Sequence, residues 1–349
     1  MNAVFSFEKQ HLCTLPACYA VTPLQIAGRM HYLFAPDDTG PCLCIDAETG
    51  AQETVWEGPG GTMSMVPLPH KEGAFLASQC FFPGFHARES RIVHVSRKDG
   101  CWTVRPWMEI PYVHRFDLLE RGGVRYLLAC VLSDTEKPEA DWNVPGCLLA
   151  GALGENGAPP ASLSVIAGGM TRNHGYFRTG SASEPAAYTA CDEGVFRVAP
   201  PAYRGGDWEV QKILDGPASD VAVCDFDGDG QEEIAVIRPF HGDDFSVYRP
   251  DGDGGYVLCY RYPYRTDFLH AIYGGKLCGR PVFLCGCRAE RQELFVLFYA
   301  DGAPRVQEIE SGFGPSNLAV IPGKETDFLL VANREHSEGA VFAVSVKGK

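Results

Sequence analysis

The chain has 349 residues, 45% of them hydrophobic and 21% charged, so it can bury a sizeable core. This composition excludes a disordered tail and a small disulfide-stapled protein. The 30 Lys and Arg residues against 44 Asp and Glu residues give a formal net charge of −14, which disfavours nucleic acid as a partner. No run approaches the roughly 18 to 20 apolar residues of a membrane helix, and the first residues lack a basic then apolar leader. We therefore expect a cytoplasmic protein without a membrane partner.

The 14 cysteines are scattered singly, many of them within apolar runs such as LLACVL and FLCGC. Cysteine in such a run behaves as a small hydrophobic residue, so we expect most of them to be reduced core residues. Cys285 and Cys287 have no matching second pair elsewhere, which argues against a metal role for them.

Short alternating segments bounded by Gly, Pro, Asp and Asn recur along the chain, whereas helical periodicity is almost absent. A polar residue that follows a turn and begins an apolar strand repeats at spacings of 46 to 60 residues, at Thr62, His114, His174, Asp220, His270 and Asn317. One period before Thr62 falls near Ala17 to Tyr19, which makes seven units. A period of about 50 residues is the length of a four-stranded propeller blade.

The pattern therefore predicts an all-β, seven-bladed β-propeller that forms a single domain over residues 1–349. The expected blades are residues 15–60, 61–109, 110–168, 169–215, 216–265, 266–311 and 312–349. The last unit supplies only three strands, so we expect the N-terminal residues 3–11 to complete it and close the ring, because closure removes exposed sheet edges. The alternative is a pair of β-sandwiches divided near Pro159 and Pro160.

The segment DFDGDGQEE places Asp225, Asp227 and Asp229 at alternate positions, with Glu233 following. Clustered carboxylates on a tight, glycine-containing turn suit a hard cation. The longer run AVCDFDGDGQEEIAVI resembles the FG-GAP or VCBS-type repeat of seven-bladed propellers. That resemblance implies a structural Ca²⁺ site, or a Mg²⁺ site, in a loop between the first and second strands of its blade.

Three histidines share one repeat position, so we expect His114, His174 and His270 to converge where the inner strands reach the mouth of the channel. Three imidazoles with open coordination positions suit one divalent transition metal, or Mg²⁺, of unknown identity. Asp220 and Asn317 have the same repeat position and are candidates for further ligands or for partners of the ligands.

The loops after the second strands should lie on this same face, because neighbouring strands are antiparallel. These loops contain candidate catalytic residues, namely His241, His86, Arg288, Arg334 and Glu335. They also contribute the candidate substrate contacts Arg88, Glu89, Trp142 and Asn333, to which the inner-strand residue Tyr176 is added. Phe82, Phe85 and Phe240 are further aromatic candidates for the apolar face of a sugar ring.

The succession RPFHGD, FLHAIYGG, GCRAE, GPSNLAV and VANREHSE resembles the propeller domain of aldos-2-ulose dehydratase-type sugar enzymes, across roughly residues 220–344. The resemblance implies a metal-assisted elimination or isomerisation of a keto-sugar or uronic acid. The site residues that the resemblance implies in this chain are His241, His270, Arg288, Asn333, Arg334 and Glu335. In the mechanism we expect, His241, or else His86, removes a proton next to a carbonyl, and Arg288 or Arg334 stabilises the enediolate.

Two alternatives remain open at the level of sequence. A non-enzymatic propeller that binds a glycan or a protein would have metal-free, hydrogen-bonded channel histidines. A propeller glycoside hydrolase would need two carboxylates roughly 5 to 10 Å apart, and Glu89 with Glu335 is the pair to test. The sequence has no GxSxG, GxxxxGK[ST] or suitably placed GxGxxG motif, which argues against serine-hydrolase and nucleotide chemistry.

Overall fold

The strands group into seven four-stranded antiparallel sheets in the computed structural model, which describes residues 4–180 and 184–346. In six sheets the strands pair in chain order, and in the seventh the first strand of the chain joins the last three. The inner strands of successive sheets contact one another around a central channel. The seven-bladed β-propeller is confirmed, and the two-sandwich alternative is excluded.

The first strand of the chain is β1 (Phe5–Thr14). From the inner to the outer strand, the first blade contains β2 (Cys18–Ile26), β3 (Arg29–Pro36), β4 (Cys42–Asp46) and β5 (Gln52–Trp56). The second contains β6 (Met65–Pro67), β7 (Ala74–Gln79), β8 (Arg91–Lys98) and β9 (Cys101–Glu109). The third contains β10 (Val113–Arg121), β11 (Val124–Val131), β12 (Gly146–Ala152) and β13 (Ser164–Met170).

The fourth blade contains β14 (Gly175–Gly180), β15 (Pro185–Cys191), β16 (Gly194–Ala199) and β17 (Glu209–Asp215). The fifth contains β18 (Asp220–Cys224), β19 (Glu233–Arg238), β20 (Asp244–Pro250) and β21 (Tyr256–Arg261). The sixth contains β22 (Leu269–Leu277), β23 (Arg280–Cys287), β24 (Leu294–Ala300) and β25 (Ala303–Glu310). The seventh contains β26 (Pro315–Ile321), β27 (Asp327–Asn333) and β28 (Glu338–Val346).

Helical structure among the described residues consists of two short 3₁₀ turns, Glu155–Gly157 and Arg334–His336. No helix in residues 4–180 or 184–346 is both long and apolar enough to cross a membrane.

The ring closes as expected, because β1 pairs antiparallel with β28 from Phe5 opposite Val346 to Thr14 opposite Glu338. The closure also has a polar component. Lys9 Nζ lies 2.7 Å from carboxylate oxygens of both Glu310 and Glu338, which joins β1 to the sixth and seventh blades.

The hydrophobic core lies between the blades. The second strands are almost entirely apolar and buried, as in β23, where Cys285 and Cys287 are fully buried members of the packing. The buried apolar clusters each combine side chains from adjacent blades, and one of them joins the first three blades. Packing of one blade on the next is therefore what holds the inner strands at fixed positions around the channel.

We expect Phe5→Ala to reduce the free energy of unfolding by about 3–5 kcal/mol, because it removes a fully buried ring from the closing strand. The Phe5 ring packs edge-on against Phe298 of the sixth blade, at 5.6 Å between ring centroids. Urea denaturation measures the change, with the exposed Glu8→Ala on the same strand as the control. A Phe5→Ala midpoint equal to that of the Glu8→Ala control would contradict the closing role of β1.

Candidate active site at the mouth of the channel

One residue of each blade lies where the inner strand begins at the mouth end of the channel, and we call this set the axial ring. Its members are Tyr19, Met63, His114, His174, Ser219, His270 and Ser316, all at most 4% exposed. In six blades the residue two positions earlier has a left-handed backbone, with φ between 53° and 66°: Ala17, Gly61, Tyr112, Arg172, Phe268 and Gly314. Such a conformation costs on the order of 1 kcal/mol for a non-glycine residue, so its repetition indicates that the packing enforces it.

The axial ring corrects the predicted repeat position in three blades. In blade seven a β-bulge between Pro315 and Asn317 makes Ser316 the ring residue, just as His270 is the bulged residue of blade six. In blade five the amide of Ser219 donates to Ile237, as the amide of His174 donates to Ala190 in blade four. Asp220 and Asn317 follow the ring position by one residue. In blade two the ring residue is Met63, which follows the predicted Thr62.

Below the axial ring, Asp220 and Asn317 line a second cavity of about 320 Å³ in the channel. Asn317 Oδ1 accepts a hydrogen bond from Arg115 at 3.2 Å. Burial raises the pKa of Asp220 to about 7, although the nearby Arg115 opposes this shift. Both side chains follow the ring position by one residue and so enter this second cavity, which the spacing alone did not reveal.

The imidazoles of the axial ring are oriented by carbonyl groups of the next blade. The Nδ1 atoms of His114, His174 and His270 lie 3.2, 3.1 and 2.7 Å from the carbonyl oxygens of His174, Ser219 and Ser316, respectively. A carbonyl oxygen only accepts, so each Nδ1 carries the proton. In the neutral ring each Nε2 then keeps a lone pair, which is the form that binds a metal.

His241 joins the axial ring from the loop between β19 and β20, where its φ is 48°. Its Nε2 atom lies 3.2 Å from Nε2 of His174. Ring nitrogens of His174, His241 and His270 all lie within 4.8 Å of one another. Because His174 Nε2 carries a lone pair, the short contact requires a proton on His241 or a cation shared by the two rings. Metal–nitrogen bonds of about 2.0–2.1 Å put two ligand nitrogens roughly 3 Å apart, which fits this contact.

His114 stands beside this group, with 4.1 Å between its ring centroid and that of His174. Tyr19 closes the other side, and its hydroxyl lies 3.1 Å from Nε2 of His270. The sequence brought His174 and His270 together correctly. It did not place His241, which it assigned to proton transfer, among them.

Burial is the main cause that lowers the pKa of each of these histidines. It lowers the pKa of His241 to about 3, with the positive charge of Arg288 acting in the same direction. The pKa values of His114, His174 and His270 lie well below the ordinary histidine value for the same reason. At neutral pH the rings are therefore uncharged and suited to act as ligands.

A cavity of about 330 Å³ opens above the axial ring, which is the size of a small-molecule site. Its apolar wall contains Phe81, Phe82, Phe85 and Phe268. Its polar wall contains Asp37, Arg288 and Arg334, and the guanidinium of Arg288 stacks 4.4 Å from the ring centroid of Phe268.

The polar wall is an ion-pair network of two arginines and two carboxylates. Arg288 donates to Glu335 Oε1 from Nε at 2.8 Å and from Nη2 at 2.6 Å. Arg334 donates from Nε to Asp37 Oδ2 at 2.6 Å and from Nη1 to Glu335 at 3.3 Å. The formal charges of this network cancel. Glu335 thus holds the arginines in place from behind, and it is not part of the cavity wall.

Several predicted site residues lie outside this cavity. His86 and Glu89 are exposed, and Arg88 pairs with Glu136 on the surface. Glu89 and Glu335 therefore do not face each other across the cavity, as a glycoside hydrolase would require.

Three other predicted contacts have structural partners instead. Trp142 packs edge-on behind Phe85, at 5.0 Å between ring centroids. Tyr176 lines the second cavity and donates to Asp117 at 3.1 Å. Asn333 is fully buried and donates to Glu338 at 2.8 Å in the closure network around β1. These positions are consequences of strand register that the loop sequences did not disclose.

Asp37 and Tyr19 were missed by the sequence reasoning. Asp37 directly follows β3, so it occupies in blade one the place that Arg288 and Arg334 occupy in theirs, whereas His241 lies further along the corresponding loop after β19. The signal for Asp37 lies in the segment PDDTG, which is the loop after the second strand of blade one.

The acidic loop between β18 and β19 brings together Asp225, Asp227 and Asp229, whose oxygens lie within 4.8 Å of one another. Glu233 differs from the prediction, because it belongs to β19 and accepts from the Phe226 amide at 2.7 Å. Since the loop connects a first strand to a second strand, it lies on the face opposite the histidines.

Comparisons with known proteins add the fold and nothing more specific. No protein-family model and no curated protein matches the chain. Among solved structures, the chain is similar to the β-propeller domain of Cps50 (Swd1) from Myceliophteria thermophila, at 12% identity and a TM-score of 0.58 over 97% of this chain and 99% of that one. It is also similar to BBS1N in complex with ARL6DN, at 12% identity and a TM-score of 0.55 over 100% of this chain and 99% of that one. A third similar structure is a candidate 6-phosphogluconolactonase from Bacteroides uniformis, at 11% identity and a TM-score of 0.54 over 85% of each chain.

We expect the rings of His114, His174 and His270 to remain neutral, with the proton on Nδ1, between pH 7 and pH 5. Their pKa values are lowered by burial, whereas in the unfolded chain the same rings take up protons below about pH 6.5. Nitrogen-15 NMR of histidine-labelled, metal-free protein measures both the charge and the tautomer. An Nε2–H tautomer at these positions would contradict the hydrogen-bond pattern, and charging of the rings above pH 5 would contradict the lowered pKa values.

Proposed function

We propose that this propeller is a divalent-metal-dependent carbohydrate lyase, of the dehydratase type, or an isomerase that acts on a keto-sugar or a uronic acid. The observation that carries the proposal is the convergence of three imidazole nitrogens, from His174, His241 and His270, at the floor of a cavity with two arginines in its wall. A cavity of about 330 Å³ suits a monosaccharide-sized ligand.

The donor set favours a transition metal over Mg²⁺. Imidazole nitrogens suit Mn²⁺, Fe²⁺, Co²⁺, Ni²⁺ or Zn²⁺, whereas Mg²⁺ prefers oxygen ligands in octahedral geometry. The trio we propose contains His241 where the sequence suggested His114, because His241 and not His114 belongs to the group within 4.8 Å. Three protein ligands leave coordination positions open for a substrate.

A divalent ion bound there would supply a Lewis acid for a carbonyl or carboxylate oxygen of the sugar. The residues of the chain perform the remaining tasks. Arg288 and Arg334 provide positive charge beside the oxygen on which negative charge develops. The phenylalanines pack against the apolar face of the sugar and exclude water, which strengthens these interactions. The Nδ1–H bonds to carbonyl groups hold the ligand rings in one orientation.

The comparisons support the proposal only as an analogy between folds. One similar propeller is a candidate 6-phosphogluconolactonase, which is a sugar-acid enzyme by name. A fold hosts many functions, so the weight of the proposal rests on the histidines and arginines of this chain.

We expect the protein to bind about one transition-metal ion per chain at the mouth. His241→Gln should reduce the affinity for Mn²⁺, Co²⁺ or Zn²⁺ by at least 10-fold, because it removes one of three ligands. His114→Gln is the matched control and should retain the ion. Titration of metal-free, tag-free protein by calorimetry, followed by elemental analysis of the dialysed complex, measures the affinity and the stoichiometry.

The reaction itself is tested by incubating the metal-loaded protein with uronates and keto-sugars and following the conversion by proton NMR. Conversion that is lost in His241→Gln and retained in His114→Gln supports the proposal. If His114→Gln loses the ion and His241→Gln keeps it, the trio suggested by the sequence is the correct one. Absence of a transition metal from wild-type protein would refute the metal mechanism and favour a non-enzymatic glycan- or protein-binding propeller.

Binding of Ca²⁺ by the loop between β18 and β19 remains a prediction, and the role we propose for the ion is structural. We expect millimolar Ca²⁺ to raise the midpoint of thermal unfolding, and Asp227→Asn to abolish this effect, since Asp227 is the central carboxylate of the loop. Asp251→Asn in the neighbouring turn DGDGG is the control. An equal response of wild type and Asp227→Asn to Ca²⁺ would exclude this loop as the site.

A further inference from the structure

We propose that Asp37 is a catalytic residue at the mouth of the channel, and that its Oδ1 atom accepts the proton removed from the carbon next to the substrate carbonyl. This inference rests on the proposed function, because it names the proton acceptor of that reaction. The sequence suggested His241 or His86 for this role. In the structure His241 lies against His174, and His86 is exposed outside the cavity.

The end of a second strand positions Asp37, as it positions the two arginines of the cavity wall. It directly follows β3, the second strand of blade one, as Arg288 follows β23 and Arg334 follows β27. Its amide donates to the carbonyl of Ala17 at 3.1 Å, which ties the loop to the start of the inner strand of its own blade. The carboxyl group therefore lies on rigid backbone and lines the 330 Å³ cavity with the histidines.

The two oxygens of Asp37 have different surroundings. Oδ2 accepts from Arg334 Nε at 2.6 Å. Oδ1 is buried and has no hydrogen-bond partner among residues 4–180 and 184–346. A carboxylate that served only to pair with an arginine would gain by engaging both oxygens, so the unpaired Oδ1 is the group left available to a ligand.

The proton acceptors that the sequence suggested are engaged or misplaced. Nε2 of His241 faces Nε2 of His174 at 3.2 Å, and His86 is exposed outside the cavity. Glu335 accepts two hydrogen bonds from Arg288 and does not line the cavity. The possible ligand atoms that lie within 4.8 Å of one another at the mouth come from His174, His241 and His270, and no oxygen of Asp37 is among them. Asp37 is therefore not part of the proposed ligand set.

The charged groups around Asp37 set its proton affinity in opposing directions. Burial is the largest influence and raises its pKa, and the neighbouring carboxylate Asp38 acts in the same direction. The hydrogen bond and charge of Arg334, and the charge of Arg288, lower it. The net direction is a raised pKa, which makes this carboxylate a stronger base than an exposed aspartate.

In the step we propose, the C–H bond next to the carbonyl breaks and its proton forms a bond to Oδ1. The electron pair of that bond becomes the carbon–carbon double bond, and the carbonyl oxygen takes the negative charge beside the arginines. In an isomerisation, the protonated Asp37 returns the proton to the former carbonyl carbon, while the proton of the neighbouring hydroxyl group passes to the former carbonyl oxygen. In an elimination, the carbonyl re-forms, the enolate electrons make a carbon–carbon double bond to the next carbon as its carbon–oxygen bond breaks, and the protonated Asp37 gives its proton to the departing oxygen. No oxidant or further reactant is required.

The test is solvent exchange at that carbon in D₂O, measured by proton NMR on metal-loaded protein with D-glucuronate, D-galacturonate and D-fructose as probes. We expect Asp37→Asn to slow the exchange at least about 100-fold, the size of a general-base contribution. Asp38→Asn is the matched control: it makes the same charge change one residue along, at an exposed side chain, and should exchange like the wild type at neutral pH. Its decline at acid pH should lie at a lower pH than in the wild type, because the Asp38 charge raises the pKa of Asp37. Both variants should bind Mn²⁺ with unchanged affinity.

The pH profile separates a catalytic role from a structural one. In the wild type and Asp38→Asn, exchange should decline as the pH falls through the pKa of Asp37, because a protonated carboxyl group cannot accept the proton. Asp37→Glu keeps the ion pair with Arg334 but moves the carboxylate, so we expect it to be slow and to have a displaced profile. It also provides the test if Asp37→Asn does not fold.

Each outcome has a distinct meaning. Unchanged exchange in Asp37→Asn overturns the role of Asp37 and leaves the proposed function standing. Loss of Mn²⁺ from Asp37→Asn makes Asp37 a ligand and likewise overturns the inference alone. Wild-type protein that binds the metal but exchanges none of the three probes overturns the proposed function together with this inference.

Discussion

The hydrogen bonds between axial-ring positions of adjacent blades are the constraint on which the mouth of the channel depends. Three of these bonds join an imidazole to the carbonyl of the next ring residue: His114 bonds to the carbonyl of His174, His174 to that of Ser219, and His270 to that of Ser316. Ser316 continues the chain of bonds across the closure to Tyr19 at 3.2 Å. Contact between blades and orientation of the rings are therefore one structural feature, because the bonds that connect the blades also fix the imidazoles of His114, His174 and His270 in their Nδ1–H form.

The second constraint is charge in a buried space. The chain carries a net charge of −14, yet the cavity combines neutral histidines with two arginines that two carboxylates neutralise. An uncompensated charge would be costly at this depth, so the network holds the guanidinium groups without leaving a net charge behind. A bound cation and an anionic sugar would together preserve this balance, which is consistent with the substrate class that we propose.

Much of the fold was predictable because it depends on local patterns that a blade repeats. Alternating apolar residues and glycine-rich turns gave the strands, and a period near 50 residues gave the blades. The three-stranded final unit correctly indicated that the N-terminal strand closes the ring. His174 and His270 were found for the same reason, since they occupy one position of a repeat. The error of one residue at Asp220 and Asn317 arose because blade spacings that vary from 46 to 60 residues do not fix the ring position to a single residue.

The sequence by itself determined the all-β class, the seven blades, the closing strand and the general location of the histidines, since each follows from short-range periodicity. Only the tertiary structure decided that His241 faces His174, that Asp37 lines the cavity, and that Asn333 and Tyr176 have other partners. These contacts join residues far apart in the chain, and they depend on loop conformation and on how each blade is rotated about the axis. Alternation along a strand determines which face a side chain takes, but not which side chains from other blades it meets.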